Sequence, residues 1–251
     1  MNIQSSQHNW DHLAQEDALF MVLSYKSKRG RKWEPDDFFR TGTQEVEQDL
    51  ISIRRVYPQL KFGKALDFGC GVGRLTQALA EKFQEIHGLD VSPQMVKMAY
   101  QYKKYPNKCS FHAIAANKLE IFPDNYFDLV YSKITLQHIK PVYSKQYIAE
   151  FTRVLNPGGI LYFQLTSEPT ELTKPATFYQ QVKSFLPPRI NEFLRDLKYR
   201  NRGRIDMYGI PKEKVITLLQ QNGITLMEIQ PDPITGPNWH GFIYCGVKRK
   251  F

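Results

Sequence analysis

The chain has 251 residues and a formal charge of +9 at pH 7, from 34 Lys and Arg against 25 Asp and Glu. Its length predicts one large folded core with room for a smaller lobe. It contains no apolar run of about 18 residues, which a membrane-spanning helix needs, and its polar N-terminus does not resemble a signal peptide. Three widely spaced cysteines argue against a disulfide framework and a metal cluster. We therefore expect a cytoplasmic protein without a bound metal ion.

The positive charge is partly clustered, in residues 26–32 and again in 195–204. Neither run has the interleaved aromatic side chains of a base-stacking surface. A solvated surface, an anionic small-molecule substrate and RNA each account for such charge. The sequence leaves these alternatives open, and it leaves the oligomeric state open as well.

The first 60 residues are expected to form helices that precede the first strand. Apolar residues between 10 and 24 follow a loose helical pattern. A firmer amphipathic helix then places Val46, Leu50 and Ile53 on one face. We treat residues 1–60 as a helical N-terminal segment distinct from the core.

Residues 61–251 show the alternation of an α/β core. We expect strands near 64–68, 85–90, 109–114, 127–132, 159–165, 224–230 and 239–248, with helices between most of them. This order predicts a doubly wound, mostly parallel seven-stranded sheet with helices on both faces. Ser92 and Pro93 are typical of a helix start, as N-cap and first helical residue.

The alternation breaks after Thr166. Residues 168–206 contain four prolines around apolar helical pieces, and no strand is evident over about forty residues. Such a length is too great for a simple loop. The segment leaves the sheet on the side where ligands bind, so we expect a helical insertion that covers the substrate.

A glycine turn between the first strand and the next helix is the clearest functional signal. Gly69, Gly71 and Gly73 remove every Cβ where the backbone turns sharply and a ligand approaches. Asp90 ends the second strand, at the spacing from which a carboxylate binds the 2′,3′-diol of a ribose. The pattern therefore predicts a site for a nucleoside cofactor.

Two residues argue against a dinucleotide cofactor. The dinucleotide pattern requires a third glycine at position 74, where this chain has Arg74. Asp67, at the end of the first strand, would repel a pyrophosphate but favour an ammonium or sulfonium group. S-adenosylmethionine combines a cationic end, a carboxylate and a ribose, and it satisfies all of these features.

Three further stretches, at 127–132, 136–139 and 153–161, extend the pattern over residues 62–166. Together with the glycine turn and Asp90, the chain resembles the class I S-adenosylmethionine-dependent methyltransferases. The resemblance implies a Rossmann-like fold, S-adenosylmethionine as cofactor and S-adenosylhomocysteine as product. In that family the N-terminal helices often cover the cofactor, which makes Trp10, Tyr25, Phe39 and Arg40 candidates to face a ligand. The alternative is that the aromatic rings only pack the helices against the sheet.

The resemblance also implies a set of cofactor-binding residues. Asp67 and the glycine turn would hold the methionine end and Asp90 the ribose. Met95 would pack on the adenine face, with a plain core residue as the alternative. The family usually has an acidic or amide residue near the adenine, and here either Asn117 or backbone groups alone would replace it. The predicted cofactor-binding residues are Arg40, Asp67, Gly69, Cys70, Gly71, Gly73, Asp90, Val91, Met95, Ala116, Asn117, Ser132 and Lys133.

His138 is the candidate proton acceptor, because it follows the fourth strand and imidazole titrates near neutrality. A structural histidine bonded to backbone is the alternative. Tyr25, Tyr208 and His240 are candidate substrate contacts. We expect methyl transfer to oxygen or nitrogen of a small molecule. An RNA methyltransferase and a non-catalytic cofactor-binding protein are the competing interpretations.

Overall fold

A computed structural model describes residues 3–171, 190 and 204–249 of the chain. Its helices are α1 (Ile3–Val22), α2 (Pro35–Val56), α3 (Arg74–Ala80), α4 (Pro93–Gln101), α5 (Pro141–Val154) and α6 (Lys212–Gln221). Its strands are β1 (Lys64–Phe68), β2 (Glu85–Asp90), β3 (Cys109–Ala113), β4 (Phe127–Ser132), β5 (Leu155–Pro169), β6 (Ile224–Pro231) and β7 (Trp239–Lys248). None of the helices in these residues is both long enough and apolar enough to cross a membrane.

The seven strands form one sheet in the order β3-β2-β1-β4-β5-β7-β6. The first five strands run parallel, and β7 is antiparallel to both β5 and β6. The predicted mostly parallel seven-stranded sheet is confirmed. Strand order reverses direction at β1, so the carboxyl ends of β1 and β4 flank the crevice where such sheets bind ligands.

Side chains of successive strand residues alternate between two hydrophobic clusters, one on each face of the sheet. Ala65 packs with α2, α3 and α4, whereas Leu66 packs with α5 and α6. In β4, Leu129 and Tyr131 share the first cluster and Val130 the second. Buried parallel strands have this two-sided apolar character, because helices cover both faces.

Helix α1 packs against α4 and reaches the glycine turn. Ala14, Ala18 and Leu19 join a third hydrophobic cluster with Val72 and Met95. The helix begins at Ile3, earlier than predicted, because the polar residues before Trp10 give no apolar pattern from which a helix could be predicted.

A polar contact also joins α1 to the start of α4. Asp11 Oδ1 accepts hydrogen bonds from Ser92 Oγ at 2.5 Å and from the Gln94 amide at 3.1 Å. Ser92 in turn accepts the Met95 amide, so the predicted N-cap is confirmed. The start of α4 is therefore stabilised from within and by α1.

The predicted insertion, 168–206, lies largely outside the described residues, which leave out 172–189 and 191–203. Its first two residues belong to β5, which continues to Pro169 and pairs there with Trp239. The described residues resume at Arg204, which lines a cavity at the carboxyl ends of the strands.

Candidate active site

A cavity that is partly open to solvent lies at the carboxyl ends of β1, β2 and β4. Its wall comes from α1, the glycine turn, the residues after β2, the 133–140 segment, α5 and residues 204–208. These segments are far apart in sequence, and the strand order brings them together at one edge of the sheet.

The glycine turn forms the floor of the cavity. Gly69 and Gly71 have φ angles of +80° and +53°. A Cβ on Gly69 would lie 2.1 Å from Thr135 Oγ1, and one on Gly71 would lie 2.6 Å from Val22 Cγ2. Both the backbone conformation and the close packing therefore require glycine. Cys70 lies between them in the wall, and burial raises the pKa of its thiol, which fits a small filling side chain.

Asp90 lines the cavity beside this turn. Its Oδ2 accepts the Gly71 amide at 2.8 Å, and its Oδ1 accepts the Ser92 amide at 2.9 Å. Burial raises the pKa of Asp90 to about 6, although these backbone hydrogen bonds oppose the shift. Each carboxylate oxygen can accept a further hydrogen bond, so a diol could be bound here. Val91 and Met95 line the cavity next to Asp90.

Asp67 lies behind the turn and does not line the cavity. Its Oδ2 accepts a 2.6 Å hydrogen bond from Thr76 Oγ1, and its side chain is fully enclosed. Burial raises the pKa of Asp67 to about 7. Gly73 also lies behind the turn, against Phe111 and Ala99.

Several other predicted cofactor residues do not line the cavity. Arg40 is exposed on α2 and pairs with Asp37 at 2.6 Å. Asn117 is exposed and donates from Nδ2 to Gln146 Oε1. The Ala116 carbonyl accepts a hydrogen bond from Tyr147 Oη, and Ser132 Oγ donates one to the Phe68 carbonyl. The structure therefore places Arg40, Ala116, Asn117 and Ser132 outside the cavity wall.

Two of the three predicted substrate contacts are also outside the cavity. Tyr25 is exposed and packs against Trp33, with ring centroids 5.5 Å apart. His240 is exposed on β7. Tyr208 does line the cavity, and its Oη donates to Asp206 Oδ2 at 3.2 Å.

Charged side chains on α2, on α3 and directly after β4 form a largely buried cluster that the sequence did not reveal. Arg74 lines the cavity, donates to Glu45 Oε2 at 2.7 Å and to Thr41 Oγ1 at 3.3 Å, and is only 2% exposed. Its Nε has no hydrogen-bond partner among the described residues. The signal from which this cluster could have been predicted is the i, i+4 pair of acids, Glu45 and Asp49, beside the apolar face of α2.

Lys133, a predicted cofactor residue, belongs to the same cluster. Its Nζ lies 2.9 Å from Glu45 Oε1 and 3.1 Å from Asp49 Oδ2. Burial alone would lower the pKa of Lys133, but the two carboxylates outweigh burial and raise it. Asp49 also accepts from Tyr131 and Tyr162, so the Lys133 charge is balanced within the protein.

His138 lines the cavity. Its Nδ1 lies 2.7 Å from the Asp206 carbonyl, and its Nε2 lies 3.1 Å from Gln137 Nε2. Burial lowers the pKa of His138, despite the opposing effect of Asp206. The Trp10 ring meets the imidazole edge-on, with centroids 5.5 Å apart.

Helix α1 covers this part of the cavity. Asn9 Nδ2 donates to the Arg204 carbonyl at 2.7 Å, and the Arg204 amide donates to Asn9 Oδ1 at 2.8 Å. This two-way contact joins α1 to residues 204–208 across 195 positions of sequence. Asn9 carries no local signal that would have identified it, whereas Trp10 was a candidate from its aromatic side chain.

Comparison with known proteins agrees with this architecture. A family model described as a methyltransferase domain matches residues 66–163. Demethylmenaquinone methyltransferase of Geobacillus stearothermophilus is 31% identical over 178 residues, which cover 69% of this chain and 68% of that enzyme. The chain belongs to the class I S-adenosylmethionine-dependent methyltransferases.

Other relatives of this methyltransferase match over less of their length. Phosphoethanolamine N-methyltransferase 3 of Arabidopsis thaliana is 32% identical over 145 residues, which are 55% of this chain but only 28% of that enzyme. Ubiquinone biosynthesis O-methyltransferase of Methylococcus capsulatus is 29% identical over 143 residues, or 57% of this chain and 59% of that enzyme.

The fold extends beyond the matched sequence. Magnesium protoporphyrin IX methyltransferase of Synechocystis, solved with bound S-adenosylhomocysteine, superposes with a TM-score of 0.65 over 98% of this chain and 99% of that one, at 16% identity. At such low identity the likeness concerns the fold alone. The family resemblance inferred from the sequence is confirmed.

Proposed function

We propose that this methyltransferase binds S-adenosylmethionine in the cavity and transfers its methyl group to oxygen or nitrogen of a small molecule bound in the same cavity. The observation that carries this proposal is the composition of the cavity wall. Asp90 and the glycine turn, which suit the cofactor, line the same cavity as His138 and Tyr208, which belong to segments that could contact a second molecule.

The residues present fit the cofactor. Asp90 would accept the ribose hydroxyls, with Val91 and Met95 beside the nucleoside. Arg74 Nε is a buried donor with no hydrogen-bond partner among the described residues, and it would bind the methionine carboxylate. Lys133 is less suited to that role, because Glu45 and Asp49 already neutralise it. The glycine turn allows the ligand to approach the backbone.

When bound, the cofactor supplies a methyl group on a positively charged sulfur, which leaves with the electron pair of the broken bond. Charge is dispersed rather than concentrated, so the protein needs little oxyanion stabilisation. Its contribution is to hold the two reactants in line at about 3 Å and to exclude water. Helix α1 and residues 204–208 would do both, because they close the cavity through Asn9.

The position of the basic run favours a small molecule over RNA. No residue of 26–32 lines the cavity. Asp17 holds this run in place by accepting the Gly30 and Arg31 amides at 3.0 and 2.6 Å. Arg204, from the second basic run, already pairs with Asp206, so it does not specifically favour an anionic acceptor. The relatives described above are named for small molecules: demethylmenaquinone, phosphoethanolamine and ubiquinone.

The test begins with calorimetric titration of S-adenosylhomocysteine and of NAD, with Asp90→Ala as the control for site-specific binding. Transfer from tritium-labelled S-adenosylmethionine is then measured to phosphoethanolamine, a short-chain demethylmenaquinol, a catechol precursor of ubiquinone and total RNA. We expect the label on an oxygen or nitrogen atom of a small molecule, insensitive to moderate salt, whereas label on a ring carbon of the quinol would contradict the proposed acceptor atom. Labelling of RNA that falls steeply between 50 and 200 mM salt would contradict the proposal. Tight cofactor binding with no transfer to any of these would favour a non-catalytic role.

A further inference from the structure

A chain of four hydrogen bonds connects the cavity wall at Ile134 to the backbone of Asp206. The Ile134 amide donates to Gln164 Oε1 at 3.1 Å, and Gln164 Nε2 donates to Gln137 Oε1 at 3.1 Å. Gln137 Nε2 lies 3.1 Å from His138 Nε2, and His138 Nδ1 lies 2.7 Å from the Asp206 carbonyl. Both glutamines are buried, so solvent does not compete for these bonds.

The two ends of this chain fix the direction of every bond in it. A backbone amide can only donate, so Gln164 must present its oxygen to Ile134 and its amide group to Gln137. Gln137 then accepts through Oε1 and donates through Nε2. At the other end a backbone carbonyl can only accept, so His138 must carry a proton on Nδ1. His138 Nε2 is therefore unprotonated and already accepts the Gln137 amide.

The same bonds link two parts of the cavity wall. Ile134 has a φ angle of +57°, an unusual backbone conformation for a β-branched residue, and Gln164 holds its amide. On the opposite side, the Tyr208 amide donates to the Gln137 carbonyl at 2.7 Å. Residues 204–208 are thus tied to the 134–138 segment by His138 and Gln137, and to α1 by Asn9.

We propose that His138 is a positioning residue, held neutral by Gln137 and Gln164, that anchors residues 204–208 over the acceptor through the Asp206 carbonyl. It is not the group that removes a proton from the acceptor, because its only lone pair is occupied. The acceptor atom attacks with its own lone pair, the methyl–sulfur bond breaks with its electrons going to sulfur, and any proton leaves to water. The role of residues 204–208 at the acceptor rests on the proposed function, whereas the state of His138 does not.

The state of the imidazole is measured directly by NMR on the ¹⁵N-labelled full-length protein with S-adenosylhomocysteine. Long-range ¹H–¹⁵N correlations separate a protonated ring nitrogen from an unprotonated one, and His138→Leu assigns the signals. We expect a neutral ring at pH 7 with its proton on Nδ1. A proton on Nε2, or a doubly protonated ring at pH 7, would overturn the proposal.

Gln137→Glu tests the chain of hydrogen bonds itself. Gln164 can still donate to one carboxylate oxygen, but the other now offers His138 Nε2 an acceptor instead of a donor. We expect both ring nitrogens to be protonated and the pKa of His138 to rise by at least one unit. Gln146→Glu makes the same change on an exposed amide that bonds Asn117, and it should leave His138 unchanged. An unprotonated His138 Nε2 at pH 6 in Gln137→Glu would refute the role assigned to this chain of hydrogen bonds.

Two variants of His138 separate positioning from proton removal. His138→Asn keeps an N–H near the Nδ1 position, whereas His138→Leu removes it. In His138→Leu we expect the backbone amides of residues 205–210 to exchange hydrogen at least tenfold faster than in His138→Asn. Methyl transfer to whichever acceptor is labelled should fall in parallel. Equal exchange and equal loss of transfer in both variants would indicate a base. The NMR and exchange measurements need no acceptor, so a failure of the proposed function would be seen separately, as absence of transfer.

Discussion

Arg74 provides a prediction that tests how the methionine end of the cofactor is bound. The variant Arg74→Gln removes the buried guanidinium whose Nε lacks a partner among the described residues. A hydrogen bond to a charged group contributes about 1.5–3 kcal/mol. Because about 1.4 kcal/mol corresponds to a factor of ten, the affinity for S-adenosylhomocysteine should fall roughly 10- to 150-fold.

The substitution also disturbs the buried cluster. In the parent protein Arg74 and Lys133 balance Glu45 and Asp49, and Arg74→Gln leaves one carboxylate in excess. Breaking a buried pair on one side costs about 3–5 kcal/mol of unfolding free energy. The double variant Glu45→Gln/Arg74→Gln restores the balance, because Lys133 then pairs with Asp49 alone. Binding should therefore be compared between the double variant and Glu45→Gln, which differ only at Arg74.

Calorimetry with two ligands makes the prediction specific. S-adenosylhomocysteine carries the amino-acid carboxylate, whereas 5′-methylthioadenosine keeps the nucleoside and the thioether but lacks it. We expect loss of Arg74 to weaken the first ligand and to change the second by less than about twofold. Equal weakening of both ligands would refute the reasoning, since it would mean that Arg74 only supports the glycine turn.

Three further predictions concern carboxylates around the site. Asp90→Ala should weaken S-adenosylhomocysteine and 5′-methylthioadenosine alike, by about 1.5–3 kcal/mol, because both carry the ribose; unchanged calorimetric affinity in a folded variant would exclude Asp90 from the site. Asp11→Ala removes the acceptor that joins α1 to Ser92, so α1 amides should exchange hydrogen faster, while Asp36→Ala, at an exposed acid on α2, should not change them. The pKa of Asp67 is raised to about 7 in the folded protein, so the folded protein binds this proton more tightly than the unfolded chain does. The free energy of unfolding gained from this proton is therefore lost as pH rises from about 4 through 7. Asp67→Asn should therefore become more stable relative to the parent by roughly 2–3 kcal/mol between pH 5 and pH 8 in denaturant titrations; a pH-independent difference would mean that Asp67 is not buried as an acid.

The sheet was predictable because its strands carry local signals. Short apolar runs separated by helical periodicity define parallel strands covered on both faces, and the glycines at 69 and 71 are required by backbone geometry at their own positions. Asp90 was predictable for a related reason: its distance along the chain from the turn sets its place at a neighbouring strand end. These features depend on short segments, which a sequence displays directly.

Arg40 and Arg74 show the limit of such reasoning. Both arginines lie near the predicted cofactor site in the sequence. The orientation of α2 exposes Arg40 to solvent, while Glu45 and Thr41 hold Arg74 in the cavity wall. Asn117 similarly bonds Gln146 on α5 instead of facing the cavity.

The sequence by itself determined the sheet, the glycine turn, the strand-end carboxylate and hence the family. Only the tertiary structure decided that Asn9 meets Arg204, that Gln164 donates to Gln137 and that Gln137 lies against His138 Nε2. The reason is physical. Backbone conformation is specified by neighbouring residues, whereas the partner of a buried polar side chain depends on which distant segments pack together and on which donors and acceptors they leave to be satisfied.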